Sequence, residues 1–506
     1  MKKFIYIINC FIASTLLYAC YDDNGNYNYE DIGNIKFTLP IDTTIMYKNK
    51  LEITPRNISF ENCNEDEFAW KWELAKNTGT QVPEYKELGN EKTLVIESLN
   101  EEIGKYVLRL SAIHKKTNVR TMNYCQLIID NGLSRGFLAL TKQSNGYYDI
   151  DAVTFPAGEI HLNQYFLKNE QYIENAKKLV YVNSGATRDE RLYLFQEIGG
   201  QTLSPIDLSY QGEAESWFYE APENIKMQGL YYDAQAKDQF FVTNGMVYHL
   251  DNWTQPLKAS LPDTPVDGYE NYQITGVGTI HNSSNLGRYA FYDGINGCFY
   301  EWNFGYGMNF LQKLKAETNE INNAFDPEHI NKEFVTAITG KEDRLWIIFK
   351  DSNQDYWLYT FYDKAKVYYN ITITPYEKPV KLEGEVLELF KRATAFEAIK
   401  TVNKFYFAVD NNIYIYNADT HKIENTPFYT SEDTSIKFSK ILYWDKYRQE
   451  IAISGNSHGK GIFYRILVDH QGRIMEENEE LTNNDIFKTY SLSGEIIDFI
   501  YKYKSY

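Results

Sequence analysis

Between residues 33 and about 130, short strand runs alternate with turn residues, and the longer runs show the period-two pattern of strands with one buried face. The first runs are Ile35–Leu39, Lys50–Ile53, Phe68–Leu74, Thr93–Ile96, Lys105–Leu110 and Thr121–Tyr124. In the third, Phe68, Trp70, Trp72 and Leu74 fall on one face, and one of these tryptophans is expected to plug a core. In the fifth, Tyr106, Leu108 and Leu110 run in phase after Gly104. No helix-length stretch with 3.6 periodicity interrupts them. Residues 33–131 therefore predict a small immunoglobulin-like β-sandwich.

Beyond residue 132 a unit repeats: strand, tight turn, aromatic-rich strand. Phe137–Leu140 turns at Asn145-Gly146 into Tyr147-Tyr148, and Leu179–Val182 turns through Arg188–Glu190 into Leu192–Phe195. Phe240–Val242 turns at Asn244-Gly245, Tyr289–Tyr292 at Asn296-Gly297, and Leu345–Phe349 at Asn353-Gln354. Phe405–Val409 turns at Asn411-Asn412, and Glu450–Ile453 at His458-Gly459. Asn-Gly between apolar runs is a strong hairpin signal. The second strands begin near 147, 192, 247, 298, 357, 413 and 462, a spacing of about 50 residues that matches kelch-like propeller blades. A single hairpin cannot bury both faces, so radial stacking is the natural arrangement. The prediction is an all-β chain whose residues 132–506 form a β-propeller of about seven blades. The run Ile496–Ile500 is expected to pair with the first blade and close the ring, which removes open edges. Two tandem β domains, or six or eight blades, are the competing arrangements. Residues 310–333 and 384–400 are expected to hold short helices or insertions.

The N-terminus carries Lys2 and Lys3, then an apolar stretch from Phe4 to Leu17, then Ala19-Cys20. A cationic start, a short apolar middle and a small residue before the cut describe a secretory signal. The apolar run is shorter than the roughly 20 residues of a spanning helix. A small residue followed by cysteine resembles the bacterial lipoprotein box. Residues 1–19 then act as signal peptide, Cys20 is the lipidated residue, and 20–32 form an acidic tether. The leader from Cys20 to Tyr27, the Trp70-x-Trp72 strand and the Gly104-x-Tyr106-x-Leu108 strand together resemble the PKD-like lipoprotein family. The resemblance implies a PKD/Ig-like domain followed by a long β-rich part. It also implies a cell-surface or periplasmic accessory lipoprotein, often beside an outer-membrane nutrient-uptake transporter, and the expected location is the outer membrane, lipid-anchored at the cell surface. It carries over no catalytic residue.

Formal net charge is −18, which opposes nucleic-acid binding. Of five cysteines, Cys10 leaves with the signal and Cys20 takes lipid, so Cys63, Cys125 and Cys298 remain. Cys63 and Cys125 share a domain and could pair in an oxidising compartment. The absence of CxxC, of HExxH and of ligand-spaced histidines argues against a metal site, and the absence of GxSxG argues against an esterase elbow. No cofactor is expected. Gly455–Gly461 reads as a hairpin turn rather than a phosphate loop. Asp149-x-Asp151 places two acids on one strand face, where a solvated edge is the simplest reading. Asp351–Asn353 and Asp410–Asn412 read as turns that resemble calcium loops.

Aromatic side chains are abundant, with 43 Tyr, 29 Phe and 8 Trp, and they serve first as strand filler. Trp217, Trp253 and Trp302 fall at or beyond strand ends and are the candidate ligand contacts, while Trp346 and Trp444 sit in apolar runs and read as core. The leading expectation is a non-catalytic surface lipoprotein that binds a glycan or protein ligand. The alternatives are a propeller glycosidase or lyase using clustered carboxylates, and a structural partner of an outer-membrane transporter.

Overall fold

A computed structural model describes residues 33–77, 84–133, 135–155, 158–183, 190–232, 238–251, 261, 265–268, 271–281, 287–305, 308–341, 344–364, 372–424, 426–444, 449–478 and 481–502. Cys20, the tether and Trp253 lie outside the described residues. The chain divides into two compact units, one ending at Asp130 and one beginning at Asn131.

In the first unit, five strands form one sheet in the order Asp42–Met46, Arg120–Asp130, Gly104–His114, Phe68–Lys76, Lys86–Gly89. Two short antiparallel pairs, Asn34–Thr38 with Arg56–Glu61 and Leu51–Ile53 with Leu94–Ile96, supply the opposing layer. Ile35, Phe37, Leu51, Ile53 and Leu94 meet Trp72 and Leu108 in one apolar core. Phe68, Trp70, Trp72 and Leu74 are all buried, as their shared face predicts. Trp72 donates its indole N–H to Glu91 O at 2.9 Å, so its one polar atom is paired inside the core. Cys63, Cys125 and Cys298 are not joined in disulfides. The possible Cys63–Cys125 bridge is not formed: Cys63 Sγ lies 3.3 Å from Asn34 O, and Cys125 Sγ lies 3.6 Å from Thr43 Oγ1.

The second unit consists, among the described residues, of seven sheets, antiparallel except for Asp267–Gly268, which runs parallel to Met308–Lys313. Numbered as blades 1 to 7, they lie within residues 136–161 with 495–502, then 176–213, 227–251, 267–313, 333–381, 395–430 and 437–491. Each sheet buries both faces against its neighbours, and seven apolar clusters show the order. Leu140 with Leu192 joins blades 1 and 2, and Phe195 with Phe241 joins 2 and 3. Phe240 with Phe291 joins 3 and 4, and Phe299 with Phe361 joins 4 and 5. Trp346 with Phe407 joins 5 and 6, and Ile413 with Ile453 joins 6 and 7. The seventh cluster, Phe463 with Phe137 and Phe499, returns from blade 7 to blade 1. The circuit is closed, and the fold is a seven-bladed β-propeller. Burial on both faces explains why strands such as Arg344–Lys350 read as continuous apolar runs rather than alternating ones.

Blade 1 is completed by the end of the chain. Glu495–Lys502 pairs antiparallel with Gly136–Lys142, from Gly136 opposite Lys502 to Lys142 opposite Glu495. This is the closure predicted from Ile496–Ile500. The short helices Thr318–Asn323 and Gly384–Phe390 occupy the two stretches where insertions were expected.

One detail of the repeat is corrected. In blade 2 the hairpin read from the sequence joins the innermost and second strands, Ala176–Asn183 and Glu190–Gln196. The turns elsewhere join second to third strands, and their counterpart in blade 2 is the turn between Glu190–Gln196 and Gly200–Leu203. Among those turns, Asn244-Gly245 and His458-Gly459 have positive φ at both central residues (54° and 78°, 51° and 77°), as a two-residue hairpin of this hand requires.

Candidate functional site: the channel mouth and its face

Antiparallel topology fixes what shares a face. The innermost strands are Ala176–Asn183, Met227–Tyr232, Ile274–His281, Glu333–Thr339, Ala395–Ile399, Lys437–Trp444 and Glu495–Lys502. They begin on one face of the ring. Each chain reversal then alternates faces, so the turns from second to third strand and the crossovers between blades lie on that same face.

Six of the seven innermost strands carry a register shift just after their start: at Ala176/Lys178, Met227/Gly229, Ile274/Gly276, Phe334/Thr336, Phe438/Lys440 and Ile496/Asp498. A bulge bends its strand and re-aims the following residue. The residues after the bulges form a tier around the channel mouth, which Glu397 of the unbulged Ala395–Ile399 strand completes. Through blades 2, 1, 7 and 6 the tier reads Lys178, Asp498, Lys440, Glu397. Through blades 3, 4 and 5 it reads Gly229, Gly276, Thr336. The two glycines make room for rings: a Cβ at Gly229 would lie 2.6 Å from the Tyr231 ring, and one at Gly276 would lie 2.3 Å from the Phe334 ring. One half of the tier is charged. In the other, the Tyr231 and Phe334 rings lie over the two glycines, where Tyr231 packs against the cluster between blades 3 and 4 and Phe334 against Tyr292 and Phe349 between blades 4 and 5.

The charged half is mostly paired. Lys440 Nζ donates to Asp498 Oδ1 at 2.6 Å and to Phe499 O at 2.7 Å, and Asp498 Oδ2 accepts the Leu179 N–H at 2.8 Å. Glu397 lies 3.8 Å from Lys400 Nζ, and the backbone N–H of Tyr443 also bonds to it. Burial pushes the Glu397 carboxyl above its usual range, against the pull of Lys400. Lys178 keeps solvent contact, yet crowding by protein lowers its ammonium, with Asp498 opposing and Lys440 adding to the shift. Burial also pushes the Tyr231 phenol up to about 12.

On the same face, the blade 1 turn and the crossover into blade 2 carry a ladder of rings. Tyr147 stacks on Tyr172 at 5.6 Å and 14°, and Tyr172 stacks on Phe166 at 4.4 Å and 19°. Tyr147 is 43% exposed and Tyr172 39%. The sequence marked Tyr147 only as a strand residue; no periodic signal brings residues 147, 166 and 172 together.

The predicted tryptophans fare differently. Trp217 is no surface contact. It closes a single 3-10 turn, Ala214–Trp217, and is buried in the seam between blades 2 and 3, with its Nε1 2.7 Å from Thr202 Oγ1. Trp302 is half-buried and packs on Phe240 at 5.2 Å and on the His249 ring at 4.3 Å, in the seam between blades 3 and 4. Trp346 and Trp444 are core, as read.

Asp149 and Asp151 do not form a solvated edge; both are fully buried. Asp149 Oδ1 accepts the N–H groups of Ile150, Tyr165 and Phe166, the last two from the first turn of the short helix Gln164–Asn169. Asp151 accepts the Asn163 N–H at 2.8 Å and both donors of Ser493. Burial raises both carboxyls, Asp149 to about 6. The pair anchors a crossover and the chain end; it is not open to a substrate.

Residue types of a nucleophilic triad meet at Asp433, Ser435, Ser457 and His458. Both hydroxyls lie near one ring nitrogen, Nδ1 of His458, at 3.2 and 2.9 Å. Asp433 binds the hydroxyl and N–H of Ser435 rather than the imidazole. Among the described residues no carboxylate bonds the imidazole, and the arrangement closes a turn. Asp351 likewise spends its oxygens on its own turn, accepting from Asn353, Asp355 and the Trp357 indole. No group of three or more metal-ligating side chains occurs among the described residues, nor a helix long and apolar enough to cross a membrane.

No curated protein matches the chain. Among solved structures it is similar to a quinoprotein alcohol dehydrogenase-like protein from Bacteroides thetaiotaomicron, at 11% identity over 92% of this chain and 94% of that one, TM-score 0.39. It is also similar to a dihydro-heme d1 dehydrogenase, at 9% identity over 73% and 75%, TM-score 0.41. The WD40 domain of SCAP from fission yeast matches at 8% identity over 62% and 73%, TM-score 0.34. Residues 20–176, which span the whole described first unit and run to the first residue of blade 2, match the PKD-like family.

Proposed function

We propose that this chain is a non-catalytic lipoprotein of the outer membrane, displayed at the cell surface through lipid on Cys20, whose ring captures a glycan or protein ligand for a nutrient-uptake system. The observation that carries the reading is the exposed Tyr147–Tyr172–Phe166 ladder, on the face where the channel opens. Stacked rings offer flat apolar surface with polar rims, which suits sugar rings and peptides. The family match begins at Cys20, which supports the lipid anchor. The buried carboxyls of Asp149, Asp151, Asp498 and Glu450 each bond to backbone groups or to a Lys or Arg partner. A glycosidase needs two carboxyls free to reach substrate, so that alternative has no footing at these positions.

The test is a binding screen of the purified chain against polysaccharides and glycoproteins, repeated with Tyr147→Ala and Tyr172→Ala. A ligand whose affinity falls about tenfold in either variant supports the reading. Turnover of that ligand defeats the non-catalytic part. Co-purification with a transporter, with silence in every screen, replaces ligand capture by a purely structural partnership. Mass spectrometry of the processed protein with an unmodified Cys20 removes the anchor.

A further inference from the structure

We propose that the channel mouth holds a subsite for a carboxylate-bearing sugar, with Lys178 as the cation that receives the acid group and the Tyr231 and Phe334 rings as the wall facing it. The proposal rests on the glycan form of the function above and names the class of glycan.

Three observations lead here. First, the tier separates its chemistry by position, with Lys178, Asp498, Lys440 and Glu397 on consecutive blades and Gly229, Gly276 and Thr336 on the opposite arc. An acidic pyranose has the same two-sided character, a charged substituent on a ring with apolar faces.

Second, the charges differ in what they already hold. Asp498 is satisfied by Lys440 and the Leu179 N–H. Lys440 uses two of its three donors on Asp498 and Phe499 O. Glu397 has Lys400 and the Tyr443 N–H, and Lys400 also donates to Thr339 O at 2.6 Å. Lys178 has no acceptor within bonding distance among the described residues, although Asp498 and Lys440 are near enough to act on it electrostatically. An exposed ammonium beside the Asp498–Lys440 pair, with no acceptor of its own, is free to donate to a bound carboxylate.

Third, the opposing wall also offers an unused polar group. Tyr231 folds back over Gly229, with its hydroxyl 2.7 Å from where a Cβ would sit, and that hydroxyl has no hydrogen-bond partner among the described residues. It is available to a sugar hydroxyl. The chain as a whole carries −18, so its overall charge opposes acidic ligands. Selectivity for an acidic ligand has to come from a local cation such as Lys178.

The experiment is isothermal titration of the full chain with oligogalacturonate and, separately, with the neutral galacto-oligosaccharide of equal length. It is run on wild type, Lys178→Met and Lys178→Arg, each checked for an unchanged melting temperature. The expected result is at least tenfold preference for the acidic oligomer, weakened by added salt, lost in Lys178→Met and largely kept in Lys178→Arg. Equal affinity for both oligomers, or an acid preference that survives Lys178→Met, overturns the subsite while leaving glycan capture intact. Binding of neither oligomer overturns the subsite too; the broader function then stands or falls on the Tyr147 and Tyr172 screen.

Discussion

Asp151 accepts the backbone N–H of Ser493 at 2.7 Å and its hydroxyl at 2.7 and 2.9 Å, joining residues 342 positions apart. Ser493 stands just before the closing strand Glu495–Lys502, and Asp151 lies on the third strand of the same blade. The carboxylate therefore holds the chain end where the ring shuts. Ser493→Ala removes the hydroxyl bond and keeps the N–H bond. Its expected cost is about 1.5–3 kcal/mol, the range for hydrogen bonds to charged groups. Asp151→Ala should cost more, because the N–H groups of Ser493 and Asn163 both lose their acceptor. Urea denaturation midpoints check this; two wild-type midpoints would show that the lock contributes nothing.

A second tie braces blade 7 against blade 1 where the ring shuts. Arg465 binds Glu450 through Nε and Nη2, with both side chains almost wholly buried, and its guanidinium lies 4.8 Å from the Phe155 ring and 5.6 Å from the Phe137 ring. Removing one partner strands a buried charge. Arg465→Met alone is expected to cost about 3–5 kcal/mol, whereas the double variant Arg465→Met, Glu450→Met should recover much of that loss. A double-mutant cycle on thermal unfolding reads the coupling directly. Additive losses would mean that the pair is not a unit.

The ring was legible because its signals are local. Apolar runs paired across short turns recur at blade spacing, and the last run, Ile496–Ile500, has no hairpin of its own and needs a distant strand. The blade 2 hairpin reads out of phase because its second-to-third turn, at Glu197–Gly199, carries no Asn-Gly pair, while Arg188–Glu190 falls between two longer apolar runs. The site was not legible. Which residue enters the channel depends on bulges, and a bulge leaves no mark in hydropathy. Lys178 reads as one of two adjacent lysines, and Asp149-x-Asp151 reads as a wet edge until a helix and the chain end arrive from elsewhere to bury it.

Trp217 shows the same gap from the other side. Placed beyond a strand end, it looked like a ligand contact; in the fold it packs edge-on to Tyr193 at 5.2 Å and fills a seam. Trp217→Ala should therefore cost about 3–5 kcal/mol through the cavity it leaves. Folded Trp217→Phe protein should keep wild-type affinity for any ligand found in the screen. A loss of affinity with unchanged stability would return Trp217 to the binding site.

Asp149 sets a pH dependence whose sign is unusual for a carboxylate. Its folded pKa is about 6, raised chiefly by burial and further by Asp151, while three backbone N–H bonds from Ile150, Phe166 and Tyr165 pull against the rise. Its Oδ2 is buried without a partner, so the charge is poorly compensated. In the unfolded chain the same group titrates near 3.9. Between these values the folded state binds more protons than the unfolded one, so stability from this group grows as pH falls from about 6 toward 4 and is lost as pH rises through 6. A separation of about two pKa units corresponds to on the order of 2–3 kcal/mol. Asp151 is raised by burial as well and acts in the same direction. Asp149→Asn keeps an oxygen for the three N–H groups and cannot ionise. Comparing the two proteins by denaturant unfolding from pH 4 to pH 7.5 isolates the effect: wild type should lose stability relative to Asp149→Asn as pH rises. Parallel curves across that window would mean that Asp149 is charged in the fold and that the crossover is held by an ionised, not a neutral, carboxyl.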